Sequence, residues 1–313
     1  MPLWIPITIA AAFLQNLRSG LQRRLKGGMG SLGATFARFG FGLPFAALYL
    51  VILVQGFGYA LPAANGRFLA AAAIGGLAQI AATFLLLHLF SLRNFLVGTA
   101  YSKTEPVQAA LFAALFLDET IPAAGVIAIL CGIAGVVAIT LSSAPARAEA
   151  VGEGRARRVA ARLLRGLASR EAAIGILSGA LFGVSAVCFR GASLALDGEA
   201  VVRAAVTLLA ATGVQTLLML VYMALFERGE LRNLRRAAGP ALLVGLVGVA
   251  GSAGWFTAMT LQKVAYVRAL GQIELVFTLA TSVLVLRERV TAGEIVGCAL
   301  IVGAILALLV QAA

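Results

Sequence analysis

Ten apolar segments, each near the length of about 20 residues that carries a helix across a hydrocarbon core, occupy most of this chain. They run over 3–20, 32–54, 68–90, 95–117, 122–141, 172–189, 200–225, 239–261, 267–286 and 292–311. A lone segment in lipid must satisfy its own backbone hydrogen bonds, so each one reads as a helix. Short alternating strands of the kind a barrel needs are not visible. The expected fold is an all-α membrane protein with ten transmembrane helices. Composition supports it: 61% of the 313 residues are hydrophobic, against about 45–50% in soluble domains. Glycine is frequent (35) and proline sparse (8), as expected where small residues let helices approach closely.

The formal net charge is +12. In a soluble chain this would raise nucleic acid as a partner. Here no basic patch is interleaved with aromatics and no nucleic-acid module appears, so the charge is assigned to loops. Eighteen of the 25 Lys and Arg, counting from Arg18, Arg23 and Arg24, follow odd-numbered segments, and three (Arg67, Arg190 and Lys263) follow even-numbered ones. The positive-inside rule then puts the odd loops in the cytoplasm and both termini outside. The expected location is the inner (plasma) membrane, multi-pass, with the N-terminus retained as the first helix. Cys131, Cys188 and Cys298 all lie in apolar segments without metal-ligand spacing and read as buried small hydrophobes.

One long polar stretch, 142–171, divides the chain into a first five-helix unit, 1–141, and a second, 172–313. Within it Arg155, Arg158, Arg162 and Arg165 recur at helical spacing beside Val159, Leu163 and Leu167, either a basic amphipathic helix on an anionic leaflet or a charged tether. The two units are related. Glu105 and Glu274 align at an offset of 169 residues, which also carries Asp118-Glu119 onto Arg287-Glu288; Arg38 and Arg203 align at an offset of 165. A unit of five spans enters and leaves on opposite sides, so two in series are inverted repeats, an arrangement that places transporter sites near the midplane between repeats.

Charges inside spans cost about 2.5–3.5 kcal/mol each on insertion scales and face a cavity or a partner. Arg38, Lys103, Glu105, Arg203, Arg268 and Glu274 qualify. Glu105 and Glu274 are candidates to bind substrate or a coupling proton, since a carboxylate held away from water takes up a proton more readily. Pro106 next to the first can free a backbone carbonyl. The competing assignment is structural: Glu105 paired with Arg38, and Glu274 with Arg203. Arg38, Lys103 and Arg203 are the candidates for an anionic substrate, and Trp255 for the wall of a cavity. His88, the only histidine, reads as an interfacial side chain before a proton relay. Gln79, Gln108, Gln215 and Gln272 read as helix-to-helix hydrogen bonds. Gly245, Gly248, Gly251 and Gly254 step every third residue along the eighth segment and favour close crossings.

Residues 91–119, with Glu105-Pro106-Val107, an Ala and Leu run and a terminal Asp118-Glu119, resemble the fourth-helix region of the EamA-like transporters of the drug/metabolite transporter superfamily. The stretch from Glu274 to Arg287-Glu288-Arg289 is similar, as is the helix holding Gly293, Gly297 and Gly303. The resemblance covers nearly the whole chain. It implies a bundle of two inverted five-helix repeats around a central cavity, and transport of amino acids, nucleotides, sugars, drugs or other metabolites. Members are usually drawn with both termini inside; the charge bias here argues for the reverse. No Walker A sequence, nucleophile elbow, zincin motif or acidic metal cluster occurs. The expectation is therefore a non-enzymatic secondary transporter without cofactor or metal. It works by alternating access, exports a small molecule, has the bilayer as its surroundings and a proton as candidate coupling ion, and is of unassigned oligomeric state. The alternative is a polytopic membrane enzyme or assembly protein acting on lipid-linked substrates.

Overall fold

The computed structural model describes residues 2–25, 28–92, 105–120, 122–142, 170–284 and 292–312. Each of the ten apolar segments contains helix over most of its described residues, and no strand occurs among them. In chain order the helices are α1 (Trp4–Leu25), α2 (Ser31–Gly40), α3 (Leu43–Val51), α4 (Gly66–Leu92), α5 (Glu105–Leu117), α6 (Ala123–Ser142) and α7 (Arg170–Leu194). They continue with α8 (Ala200–Phe226), α9 (Arg228–Arg236), α10 (Ala238–Leu261), α11 (Val264–Leu270), α12 (Ile273–Leu284) and α13 (Ala292–Ala312). Among the described residues, five stretches are long and apolar enough to cross a membrane: Ser31–Gly56, Gly66–Leu89, Ala173–Leu194, Ala200–Phe226 and Ala238–Leu261. The basic stretch 155–167 and the proposed repeat partners Arg287 and Glu288 lie outside the described residues.

The distribution of side chains is that of a protein dissolved in lipid. Large apolar groups such as Phe116 (74% exposed), Leu225 and Leu217 point outward, while Arg18, Arg38, Glu105, Arg268 and Glu274 are buried. Water would favour the opposite arrangement. Without a hydrophobic drive between helices, close backbone approach and polar bonds must hold the bundle together.

Among the described residues, two segments are broken. The second divides at Phe41-Gly42, just before Pro44 in the first turn of α3. Proline has no amide hydrogen and its ring clashes with the carbonyl four residues back, so a continuous helix stops there. A β-carbon on Gly245 of α10 would lie 2.5 Å from the Phe41 carbonyl carbon, so glycine is what lets α10 touch this break. The ninth segment divides at Gly271-Gln272, and Gly271 leaves room for the ring of Trp255. Beyond α3 a π-helical turn, Ile52–Gly56, ends the second span. Asn65 then starts α4 by accepting the Phe68 amide at 2.9 Å, an N-cap that removes one orphan donor.

The strongest helix pairs are α4 with α7, α6 with α13 and α1 with α10. Glycine sits in each seam: Gly75 against Cys188 and Phe189, Gly135 against the Gly297 carbonyl, and Gly251 and Gly254 against Leu14 and Ala11. Buried amides add directionality. Gln215 donates to Gln79 (2.9 Å) and to the Gly76 carbonyl (3.2 Å), joining α8 to α4. His88 is half-buried and stacks on Phe84, with ring centroids 6.4 Å apart. One cysteine departs from expectation: Cys131 is exposed, since one face of α6 points outward, while Cys188 is half-buried and Cys298 buried.

Candidate functional site

Five ionisable side chains meet in the interior, from five helices. Glu105 opens α5, where Pro106 occupies the second position and is tolerated because first-turn amides have no intrahelical partner. The carbonyl that Pro106 could free belongs to residue 102, outside the described residues. Glu274 lies in the first turn of α12, immediately after the break at Gly271-Gln272. Arg268 comes from α11, Arg18 from α1 and Arg38 from α2. All five are buried.

Their partners differ from those the sequence suggested. Glu105 Oε1 lies 3.0 Å from Arg268 Nε, an ion pair with the neighbouring segment and not with Arg38. The Arg268 guanidinium also sits over the Trp255 ring, 4.8 Å from its centroid, so the aromatic face and the carboxylate share one cation. Glu274 Oε2 accepts a hydrogen bond from Gln15 Nε2 at 2.8 Å. Next to it Asn16 Nδ2 donates to Thr278 Oγ1 at 2.5 Å, and Thr278 Oγ1 donates to the Glu274 carbonyl at 2.9 Å. Arg38 Nη1 donates to Thr83 Oγ1 at 3.0 Å, and its guanidinium lies 5.0 Å from the Phe39 ring. Arg18 feels the charge of Glu274 and of Arg268; Arg38 feels Arg18 and Arg268.

Glu105, Glu274, Arg38 and Trp255 thus come together as sequence candidates. Arg203 does not join them: it is half-buried near the start of α8 and makes no ion pair among the described residues, so the suggested pairing with Glu274 is not formed. Lys103 lies outside the described residues. Two arginines enter as additions. Arg18 follows the apolar part of the first segment and was counted with the loop charges, yet α1 continues to Leu25 and buries it. Arg268 was visible as a span charge, but its place between an acid and a tryptophan depends on the break in its segment.

A second polar group closes one end of the bundle. Asp118 takes a left-handed conformation (φ 51°), which aspartate tolerates, and ends α5. Glu119 then turns inward, pairs with Arg190 of α7 and accepts the Val264 amide at 3.3 Å. Arg190 also donates to the carbonyls of Met259 and, at 2.8 Å, Gln262. Lys263 Nζ donates to the Thr120 carbonyl at 2.8 Å, and the Ser193 and Thr260 hydroxyls are 2.6 Å apart. This latch ties the tip of α5 to α7 and to the α10–α11 junction.

Residues 170–310 match the EamA-like transporter family. They form an EamA-like transporter domain. The match agrees with the drug/metabolite transporter superfamily that the motifs at 91–119 and 274–303 suggested, and together with the apolar helices it supports a membrane-embedded, multi-pass protein. The EamA-like domain supplies Arg268, Glu274, Trp255 and Arg190, while α1, α2 and α5, outside the match, supply Arg18, Arg38, Glu105 and Glu119. A solved crystal structure is similar over 98% of this chain and 96% of its own, with a TM-score of 0.63 at 19% identity, which establishes a shared fold. No curated protein matches.

Proposed function

We propose that the chain is a secondary transporter that moves a small solute by alternating access, with the cluster around Glu105 and Glu274 as its substrate and proton site. The observation that carries this is the burial of five charged side chains, from five helices, inside a bundle whose outer surface is apolar. Such charges are costly in lipid and by default mark a solute or ion pathway. The proposed architecture is ten spans in two inverted five-helix repeats, 1–141 and 172–313, joined by the basic linker 142–171. The helix pairs support it. Exchanging the first segment with the sixth and the third with the eighth turns the α4–α7 pair into the α10–α1 pair, and leaves the α6–α13 pair in place. A two-fold relation between halves requires that pattern.

On the charge bias, the latch around Glu119 and Arg190 faces outside and the linker lies in the cytoplasm of the inner membrane. Access to the site then alternates with opening of the latch, and transport runs outward. The test is uptake and release of a metabolite mixture by proteoliposomes, with and without an imposed pH gradient. Protein-dependent flux that responds to the gradient is expected. Absence of any protein-dependent flux across amino acids, organic acids, nucleosides and sugars would overturn the reading. Orientation is tested separately: in a chain without native cysteines, a cysteine placed at Ala150 should resist membrane-impermeant thiol reagents in intact cells. Labelling from outside would reverse the assignment.

A further inference from the structure

We propose that Arg18 and Arg38 form a binding site for a carboxylate group, so that the solute this chain handles is an organic acid or an amino acid held through its carboxylate. This rests on the transporter reading above and narrows it to a substrate class.

The argument starts from an imbalance of charge. In the buried cluster three arginines face two glutamates. Glu105 is taken up by Arg268, which Trp255 also covers. Glu274 has a neutral amide, Gln15, on Oε2, and its charge acts on Arg18 from beyond ion-pair distance. Neither Arg18 nor Arg38 makes an ion pair with a carboxylate among the described residues. Both are more than nine-tenths buried, at 4% and 5% exposure. The largest charge effects on Arg38 come from Arg18 and Arg268, of its own sign.

The two side chains also converge. A β-carbon placed on Gly248 of α10 would be 3.4 Å from Arg18 Cδ and 3.4 Å from Arg38 Cγ, so both stems lie against one glycine. Arg18 Nε has no hydrogen-bond partner, and its terminal nitrogen reaches the Ser19 hydroxyl only at 3.5 Å. Arg38 spends one donor on Thr83. A guanidinium carries five donors in a planar fork whose geometry matches a carboxylate. Two such forks, buried close together with donors to spare and, among the described residues of the cluster, one positive charge in excess, are stabilised more by an entering anion than by a neutral group and not at all by a cation. The Phe39 face offsets part of the desolvation of Arg38 but adds no negative charge. A metabolite carboxylate supplies both the charge and the paired acceptors. The neighbouring Glu274 then suits the ammonium of an amino acid or a coupling proton.

The experiment is thermal unfolding of the purified full chain in detergent, titrated with benzoate, hexanoate and L-phenylalanine, each against the amide of the same skeleton, and with sodium chloride. Saturable stabilisation by the carboxylates, absent with the amides and with chloride, is expected. Arg18→Gln and Arg38→Gln should each weaken that stabilisation by about tenfold or more in apparent affinity, the loss of a charge-assisted bond, and Arg67→Gln, exposed at the start of α4, should not. If either arginine variant fails to fold, the wild-type comparison still decides: amides as effective as carboxylates, or chloride as effective as both, would overturn the proposal. Proteoliposome flux separates this inference from the reading beneath it. Flux of neutral or cationic solutes that carboxylates neither share nor inhibit would refute the carboxylate site and leave transport standing. Carboxylate-selective stabilisation without flux of any solute would do the reverse.

Discussion

The contact between α5 and α11 and the contact between α1 and α12 each bury one of two related acids, and they are built from different chemistry. Between α5 and α11 the bonds are charged or lie beside charge. Glu105 pairs with Arg268, and at the tip of the same helix Glu119 holds Arg190 and the Val264 amide. Between α1 and α12 the hydrogen bonds are to neutral side chains, Gln15 on Glu274 and Asn16 on Thr278, beside Phe13 edge-on to Phe277 at 5.7 Å, and Arg18 of α1 acts on Glu274 through its charge without an ion-pair contact. Breaking a buried ion pair strands two charges, whereas an amide or hydroxyl bond can be exchanged for one to a ligand or a water at little net cost. The difference teaches that α5–α11 is the anchored seam and α1–α12 the exchangeable one.

The largest effect is expected at the anchored seam. Arg268→Gln removes the cation that pairs with the buried Glu105 and covers the Trp255 ring, and should cost about 3–5 kcal/mol of stability. The double variant Arg268→Gln with Glu105→Gln should recover much of that, because no charge is left stranded. Thermal unfolding of the purified protein reads both. If the single variant is as stable as the parent, the seam is not anchored by charge and the comparison fails.

Next comes Glu274→Gln. It preserves shape, and the new amide can bond to Gln15 through its oxygen, so folding and membrane insertion should survive. Flux driven by a pH gradient should be abolished if this acid is the proton site proposed above, since its carboxylate is bonded by the neutral amide of Gln15. Undiminished pH-driven flux in this variant, with Glu105→Gln instead inactive, would exchange the roles of the two seams.

Gln15→Leu is a smaller disturbance. It removes the amide from Glu274 and should cost about 1–3 kcal/mol, the cost of an unmet buried acceptor. The same change offers a control for Glu274→Gln. If both variants lose stability equally while only Glu274→Gln loses pH-driven flux, the acid works by its charge and not by holding α1 to α12.

What could be read in the sequence follows from what lipid enforces. Helix positions were legible because a spanning segment must be long, apolar and self-bonded, and Ala200–Phe226 and Ala238–Leu261 lie within a residue of the ranges read for them. The glycine ladder of the eighth segment was legible as a close-packing face, and Gly245, Gly251 and Gly254 do meet other helices closely. Pairing was not legible. Glu105 was offered Arg38 as a structural partner because both are charges inside spans, but that does not say which helix is adjacent, and the ion pair forms with Arg268, just before the break at Gly271. Arg18 was lost to the loops because a charge count treats every arginine near a segment end alike, whereas α1 runs on to Leu25 and carries Arg18 inside. The breaks at Gly42 and Gly271 were missed because apolar length persists across them; Pro44 was the signal for the first.

The smallest effect is expected at the latch, where it sharpens the anchored seam without touching its core. Lys263 Nζ meets the Thr120 carbonyl at 2.8 Å in an exposed position beside the buried Glu119–Arg190 pair. Removing it by Lys263→Ala leaves that pair and the Val264 amide in place, so stability should change by no more than about 1 kcal/mol, the range of exposed charged contacts. An equilibrium between closed and open latch can nevertheless be shifted by that amount, because it multiplies the open population about fivefold. The reading is the rate at which a cysteine at Ser193, in a chain without native cysteines, reacts with a water-soluble thiol reagent. Ser193 is buried and touches Thr260 within the latch, so it reacts only when the latch opens. Faster labelling in Lys263→Ala at unchanged melting temperature is expected. Equal rates would mean that the exposed lysine has no part in closure and that the buried Glu119–Arg190 pair alone sets the latch. A fall in melting temperature as large as that of Arg268→Gln would mean that the latch and the Glu105 pair are one cooperative unit, and that the anchored seam extends along the whole of α5.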